Sequence, residues 1–322
     1  MANNSIVDLS ASSLAQTAHI YRKELLQMPV LALEKSLKYM TLRPGIRYKE
    51  TVGELSGNLE LGPYSDTRID QSDVVVNPRT LETFFGSIVK SFKPNSVYQS
   101  IWGASITKGE GLKTTEITRT ILAFLAAQLG KNLNKVLFNA VRNDNGTTSA
   151  TLFNGFDTIL ATDIANENVS VEKGNLYVLT ESITANNAYD VIKSIYRKAS
   201  DELREQETLL FIDQATYDKY VDDYQTTVGA TPYNTTFDKL FVEGSGNRCQ
   251  LVPLANKANA PYFELTTKEN MLVGVDQLSD QETIEVEKHA AFVLQFVATM
   301  FFGVQFESVS KERLLAVKLH TA

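Results

Sequence analysis

A chain of 322 residues, 43% of them hydrophobic, can bury one large core or two modest ones, which excludes disorder as its dominant state. Its 31 Lys and Arg stand against 38 Asp and Glu, a net charge of -7 and the wrong sign for a protein that binds by neutralising phosphates, so sequence-specific nucleic-acid reading is not expected. One cysteine, Cys249, excludes an intramolecular disulfide, the spacings of structural zinc sites are missing, and a reducing compartment fits.

The first ten residues carry no Lys or Arg, and the apolar run LLQMPVLAL is short and holds Pro29, so neither a secretory signal nor a membrane span is expected. Over residues 9–40, Leu14, Ile20, Tyr21, Leu25, Leu26, Leu33 and Leu37 recur at helical intervals, which reads as an arm with helical pieces. A basic cluster follows at Lys35, Lys38, Arg43, Arg47 and Lys49; its first reading is a solvated face, its second a contact with an acidic neighbour.

The segment YKETVGELSGNLELGPYSDTRID, residues 48–70, is punctuated by glycine and too poor in apolar residues to bury a core of its own. Its return, DVVVNPRTLETFFGSIVKSF, is rich in β-branched and aromatic residues and reads as strand. Together they predict a long two-stranded excursion, a form that is marginal in water and stays ordered by lying against something else.

Capped by Thr114 or Thr115, a helix is predicted from Glu116 to about Arg142, with Ile117, Ile121, Leu125, Leu129, Leu133, Val136, Leu137 and Ala140 on one face. The stretch that follows, NAVRNDNGTTSATLFNGFDTIL over 139–160, has the glycines and threonines of a phosphate loop. Phosphate cradles precede a helix, where the orphan donors are, and this one comes after. It reads as a joint, with Asn143, Asp144, Asn145 and Gly146 as the helix stop.

A second helix is predicted over ANNAYDVIKSIYRKASDELREQ, then a buried strand TLLFID and a helix opening at Asp213. The remainder alternates strands and turns: RCQLVP, YFELTT, MLVGV, one long half-buried strand from Thr283 to Phe306, and RLLAVKL.

Local chemistry is sparse. His19, His289 and His320 form no close ligand pair, and Walker, GxGxxG and GxSxG patterns do not occur. Two Ser-x-x-Lys matches, at Ser87–Lys90 and Ser308–Lys311, lack their companion motifs. Asp222 and Asp223 read as helix-surface charge, Cys249 as a small buried hydrophobe, and Trp102 and the run Met300-Phe301-Phe302 as packing. No catalytic residue, cofactor or metal site is expected.

The order of these segments resembles the Hong Kong 97-type major capsid protein of tailed bacteriophages. The resemblance implies an α+β fold with an N-terminal arm (1–42), an extended hairpin loop (43–92), a peripheral domain with a long spine helix (93–165, helix about 116–142), an apical domain (166–282) and a return to the peripheral domain (283–322). It implies no enzyme but a structural protein that assembles with itself into pentamers and hexamers. These form an icosahedral virion shell around double-stranded DNA held without sequence-specific binding. The protein is then made in bacterial cytoplasm and has no membrane partner. With no long scaffolding extension at the N-terminus, a separate scaffold protein is implied, beside a portal. Arg47, Lys49, Glu50, Glu54 and Glu60, in the loop, are the expected contacts between subunits. Some members of this family join subunits by a Lys-to-Asn isopeptide bond; Lys49 lies in the loop, but nothing identifies its acceptor or a catalytic carboxylate, so no cross-link is assigned. Two other readings stay open from the residues alone: an encapsulin-like bacterial nanocompartment, which shares the fold but loads protein, and a soluble cytoplasmic enzyme with a ligand pocket.

Overall fold

The computed structural model describes residues 34–56, 64, 75–92, 114–229, 241–276, 284–290 and 293–320. In chain order these form α1 (Glu34–Leu37), β1 (Thr41–Pro44), β2 (Lys49–Ser56), β3 (Val75–Glu82), β4 (Phe84–Phe92), α2 (Thr114–Val136), α3 (Phe156–Ala165), β5 (Leu176–Val178), α4 (Ala188–Lys198), α5 (Asp201–Glu205), β6 (Thr208–Asp213), α6 (Gln214–Val228), β7 (Cys249–Leu254), β8 (Tyr262–Thr266), β9 (Met271–Asp276), β10 (Ile284–Ala290), β11 (Val293–Phe306) and β12 (Leu314–Lys318). The expected arm residues before Glu34, with Glu60, Trp102 and His19, lie outside the described residues.

A mixed sheet in the order β5-β12-β8-β6-β7 is buried on both faces. Its strands show why they read as near-continuous apolar runs: successive side chains point to opposite faces, and each face has a core to fill. Phe211, Val252, Leu314 and Ala316 enter one core. Their neighbours Leu210, Ile212, Leu251, Leu315 and Val317 enter the other, beneath α4, α5 and α6. The first core is completed by α2, α3 and a second sheet, in which β1 runs parallel to β9, β9 pairs with β11, and β11 also pairs with β4 and β10.

Helix α2 stops at Val136, short of the expected Arg142. The reason is the joint. Leu137, Phe138 and Ala140 are buried, and their carbonyls accept from the first amides of α3: Gly155 N donates to Ala140 O at 2.8 Å, Phe156 N to Leu137 O at 3.3 Å and Asp157 N to Phe138 O at 3.0 Å. The orphan donors of one helix thus satisfy the chain leaving the other. Gly155 is required there, because a Cβ would strike the Phe138 carbonyl and the Ala140 amide. The Asn143–Gly146 turn lies beyond, closed by Gly146 N donating to Asn143 O at 2.9 Å.

Two other expectations are corrected. The helix predicted from 185 to 206 is two, because Ala199 is extended and the Ser200 side chain accepts from Leu203 N to cap α5. The strand predicted from Thr283 to Phe306 is a hairpin, β10 against β11, with an irregularity between Lys288 and Ala290. The expected cap at Asp213 is present, its side chain accepting from Thr216 N at 3.3 Å.

Gly155→Ala is expected to lower stability to chemical denaturation by about 1–3 kcal/mol, as overpacking against fixed backbone does. Cys249 is buried and free, and burial pushes its thiol up to about 12. Iodoacetamide at pH 8 should therefore leave the native protein unlabelled and alkylate it after denaturation; rapid native labelling would contradict this packing.

Candidate assembly surface

Strands β2 and β3 pair antiparallel from Lys49↔Glu82 to Ser56↔Val75. Val52 and Leu81 anchor them in a small apolar cluster with Ile46 and Leu272. The floor beneath is made by Gly274 and Gly303, which face each other in register across β9 and β11. A Cβ on Gly303 would strike the Glu82 carbonyl, and one on Gly274 would press on Thr83 and Leu81. The missing side chains therefore let the hairpin's base cross the sheet backbone to backbone.

Polar contacts then fix its direction. Arg79 reaches both Asp163 oxygens, at 3.2 and 2.7 Å, and donates as well to Phe306 O at 3.1 Å and Gln305 Oε1 at 2.9 Å. Gln305 Nε2 returns a bond to Thr80 O at 3.0 Å. On the facing strand, Ser310 Oγ donates to Glu54 Oε2 at 3.0 Å, with Arg313 3.9 Å from the other oxygen. The Arg79–Asp163 pair is nearly dry, its side chains 14% and 9% exposed, so its fork geometry counts for more than a surface pair would.

Of the residues expected at subunit contacts, Arg47 binds Asp276 at 2.8 Å, Lys49 lies 3.2 Å from Glu82, and Glu54 holds the Ser310 contact. All three thus have partners in their own chain. Glu50 forms no ion pair among the described residues, and Glu60 lies outside them.

Beside the hairpin, β4 pairs with β11 alone among the described residues, leaving its other edge open. Phe85 and Val89, four residues apart on one face of this strand, are 48% and 57% exposed, and Tyr48, at 61%, packs edge-on to Phe301 next to them. A run of large apolar side chains along an open strand is the kind of surface that folded proteins cover. A cavity of about 340 Å³ lies between β4, α2 and the 142–151 turn. Its two charged lining residues, Arg142 and Asp144, are paired to each other at 2.6 Å, and it holds no histidine or cysteine. Among the described residues no group of three or more His, Cys, Asp or Glu is placed to hold a metal ion, and no helix is long and apolar enough to cross a membrane.

One cluster was missed from sequence. Lys257, in a single helical turn after β7, lies 2.9 Å from Asp157 at the start of α3 and 2.7 Å from both oxygens of Glu264 in β8. The available signal was Glu264 itself, a charged residue in the middle of the otherwise uncharged strand YFELT.

No protein-family model matches this chain, and no curated protein does. Solved structures match along nearly its whole length. A chain of the capsid of a native GTA particle aligns with a TM-score of 0.57 at 10% identity, covering 100% of this chain and 95% of that one. A chain of the satellite phage P4 procapsid, which includes the size determination (Sid) protein, gives 0.54 at 12% identity over 91% and 98%. One from Mycobacterium phage Bobi gives 0.51 at 13% identity over 89% and 91%. What the chain shares with these proteins is its fold, an α+β Hong Kong 97-type capsid fold.

Arg79→Ala is expected to destabilise the protein by about 3 kcal/mol or more, because it strands the Asp163 carboxylate. Amide exchange should accelerate first in β2 and β3. Arg79→Lys should recover little, since an ammonium cannot replace the fork; full recovery would show that charge alone suffices.

Proposed function

We propose that this protein is a major capsid protein of a tailed bacteriophage, assembling with itself into an icosahedral head around double-stranded DNA. The observation that carries this reading is a capsid fold spanning nearly the whole chain. It is supported by a hairpin with too little apolar surface to stand alone and by an exposed apolar strand at its side.

In this reading α2 is the spine helix, and β5 to β8 with α4 to α6 form the apical domain, 166–282, whose sheet the return segment completes with β12. The extended loop, 43–92 in this reading, carries the β2–β3 pair, and its last strand, β4, pairs with β11. Strand β9 likewise joins the peripheral sheet through β11. Subunits meet as pentamers and hexamers, clasping one another by the hairpin, with Glu50 and Glu60 toward a neighbour and Arg47, Lys49 and Glu54 setting the hairpin's base. A separate scaffold protein and a portal complete the head, and the acidic chain holds DNA without specific contacts. The protein belongs to the virion and is made in the host cytoplasm.

Negative-stain microscopy of the purified protein, alone and with a co-expressed scaffold, should show rings or closed shells. A strictly monomeric mass at high concentration under both conditions would overturn the assignment. Shells carrying a protein cargo and no DNA would instead favour a nanocompartment. The double reversal Glu50→Lys and Glu60→Lys should reduce assembly several-fold while the circular dichroism of the subunit is unchanged; unaltered assembly would remove these two residues from the interface.

A further inference from the structure

Lys257, Asp157 and Glu264 meet between α3 and β8, out of reach of water. Lys257 and Glu264 are fully buried and Asp157 is 4% exposed. Lys257 Nζ lies 2.9 Å from Asp157 Oδ1, 2.7 Å from each Glu264 oxygen, and 4.3 Å above the centre of the Phe138 ring. Asp157 and Glu264 thus share one ammonium, while Asp157 Oδ2 has no partner among the described residues. As a plain ion pair this is a poor arrangement: one ammonium cannot balance two carboxylates, and a surplus buried charge is costly. As a reaction site it is well formed. It holds a lysine nitrogen against an Asp157 oxygen, with a second carboxyl on the same nitrogen as an acid–base group and an apolar ring closing the site.

We propose that Lys257 and Asp157 condense within the folded chain to an isopeptide bond, with Glu264 relaying the protons. Burial and the neighbouring Asp157 hold the Glu264 carboxyl well above the usual carboxylate range, so the trio carries one extra proton and is neutral: an ammonium, a carboxylate and an acid. The ammonium is the resting form: burial alone would lower Lys257, but Glu264 and Asp157 beside it raise it. Passing one ammonium proton to the remaining carboxylate gives an amine and two acids, again with no net charge, so the low dielectric does not oppose the step.

The nitrogen lone pair then attacks Cγ of the protonated Asp157. Glu264 takes a proton from nitrogen through one oxygen and gives its own to the departing hydroxyl through the other. The N–Cγ bond forms, the Cγ–O bond breaks, one water leaves, and Glu264 ends as the acid it began. No oxidant or co-reactant is needed. The reaction occurs once per molecule, so preorganisation suffices where turnover would demand speed. Both partners belong to one chain, 100 residues apart, and the bond would tie the start of α3 to the turn behind β7.

The test is the intact mass of the full-length folded protein. It should lie about 18 Da, one water, below the sequence mass, and a protease digest should contain a branched peptide joining Lys257 to Asp157. Glu264→Gln should restore the full mass in protein that still shows native near-ultraviolet dichroism, and Asp157→Ala should do the same. A wild-type mass equal to the sequence value after days at pH 7 overturns the proposal whatever the variants do. So does a loss of one water that persists in Asp157→Ala. The measurement is made on unassembled subunits, so failure to form shells does not bear on it.

Discussion

The constraint on which the architecture rests is that the β5-β12-β8-β6-β7 sheet must satisfy two cores at once. Alternate residues of β6, β7 and β12 are committed to opposite faces, so a register slip of one position would exchange the contents of both cores. Everything else is placed relative to that sheet. Helices α4 and α6 cover one side, while α2, α3 and the β9–β11 sheet cover the other. Glu264 is the exception on its strand: a carboxylate where an apolar side chain would fit, kept only by what Lys257 and Asp157 provide.

The hairpin is built on the opposite principle. It gains little from burial, and its position comes from a glycine pair that lets backbone cross backbone and from the Arg79 fork that sets its direction. Its hold on the rest of the chain is thus concentrated at its root. The exposed Phe85 and Val89 continue the same side of the structure, so the surface that would be costly in a monomer lies together rather than scattered.

Much of this was legible in the chain. The strand TLLFID, the Asp213 cap and the coreless hairpin follow from period and composition, because local sequence decides them. What escaped was set by contacts between distant residues. Nothing around Val136 says that α2 must stop there; the reason is Gly155 and the amides of α3 arriving from downstream. The break at Ser200 was hidden by an apolar stripe that runs through both α4 and α5 without losing phase. The pairing of β4 with β11 joins segments more than 200 residues apart, which no local pattern carries. Arg47, Lys49 and Glu54, expected at subunit contacts, have partners within the chain that only the tertiary fold supplies.

The anchors of the hairpin also impose an order on synthesis. Arg79 waits 84 residues for Asp163 and 227 for the Phe306 carbonyl, and Glu54 waits 256 for Ser310. At a ribosomal pace of about 5–20 residues per second, the limb stays unset for roughly ten seconds or more after it emerges. The root of the hairpin is therefore set only after β11 and Ser310 have been made, so the ordering of this part follows the synthesis of segments more than 200 residues downstream.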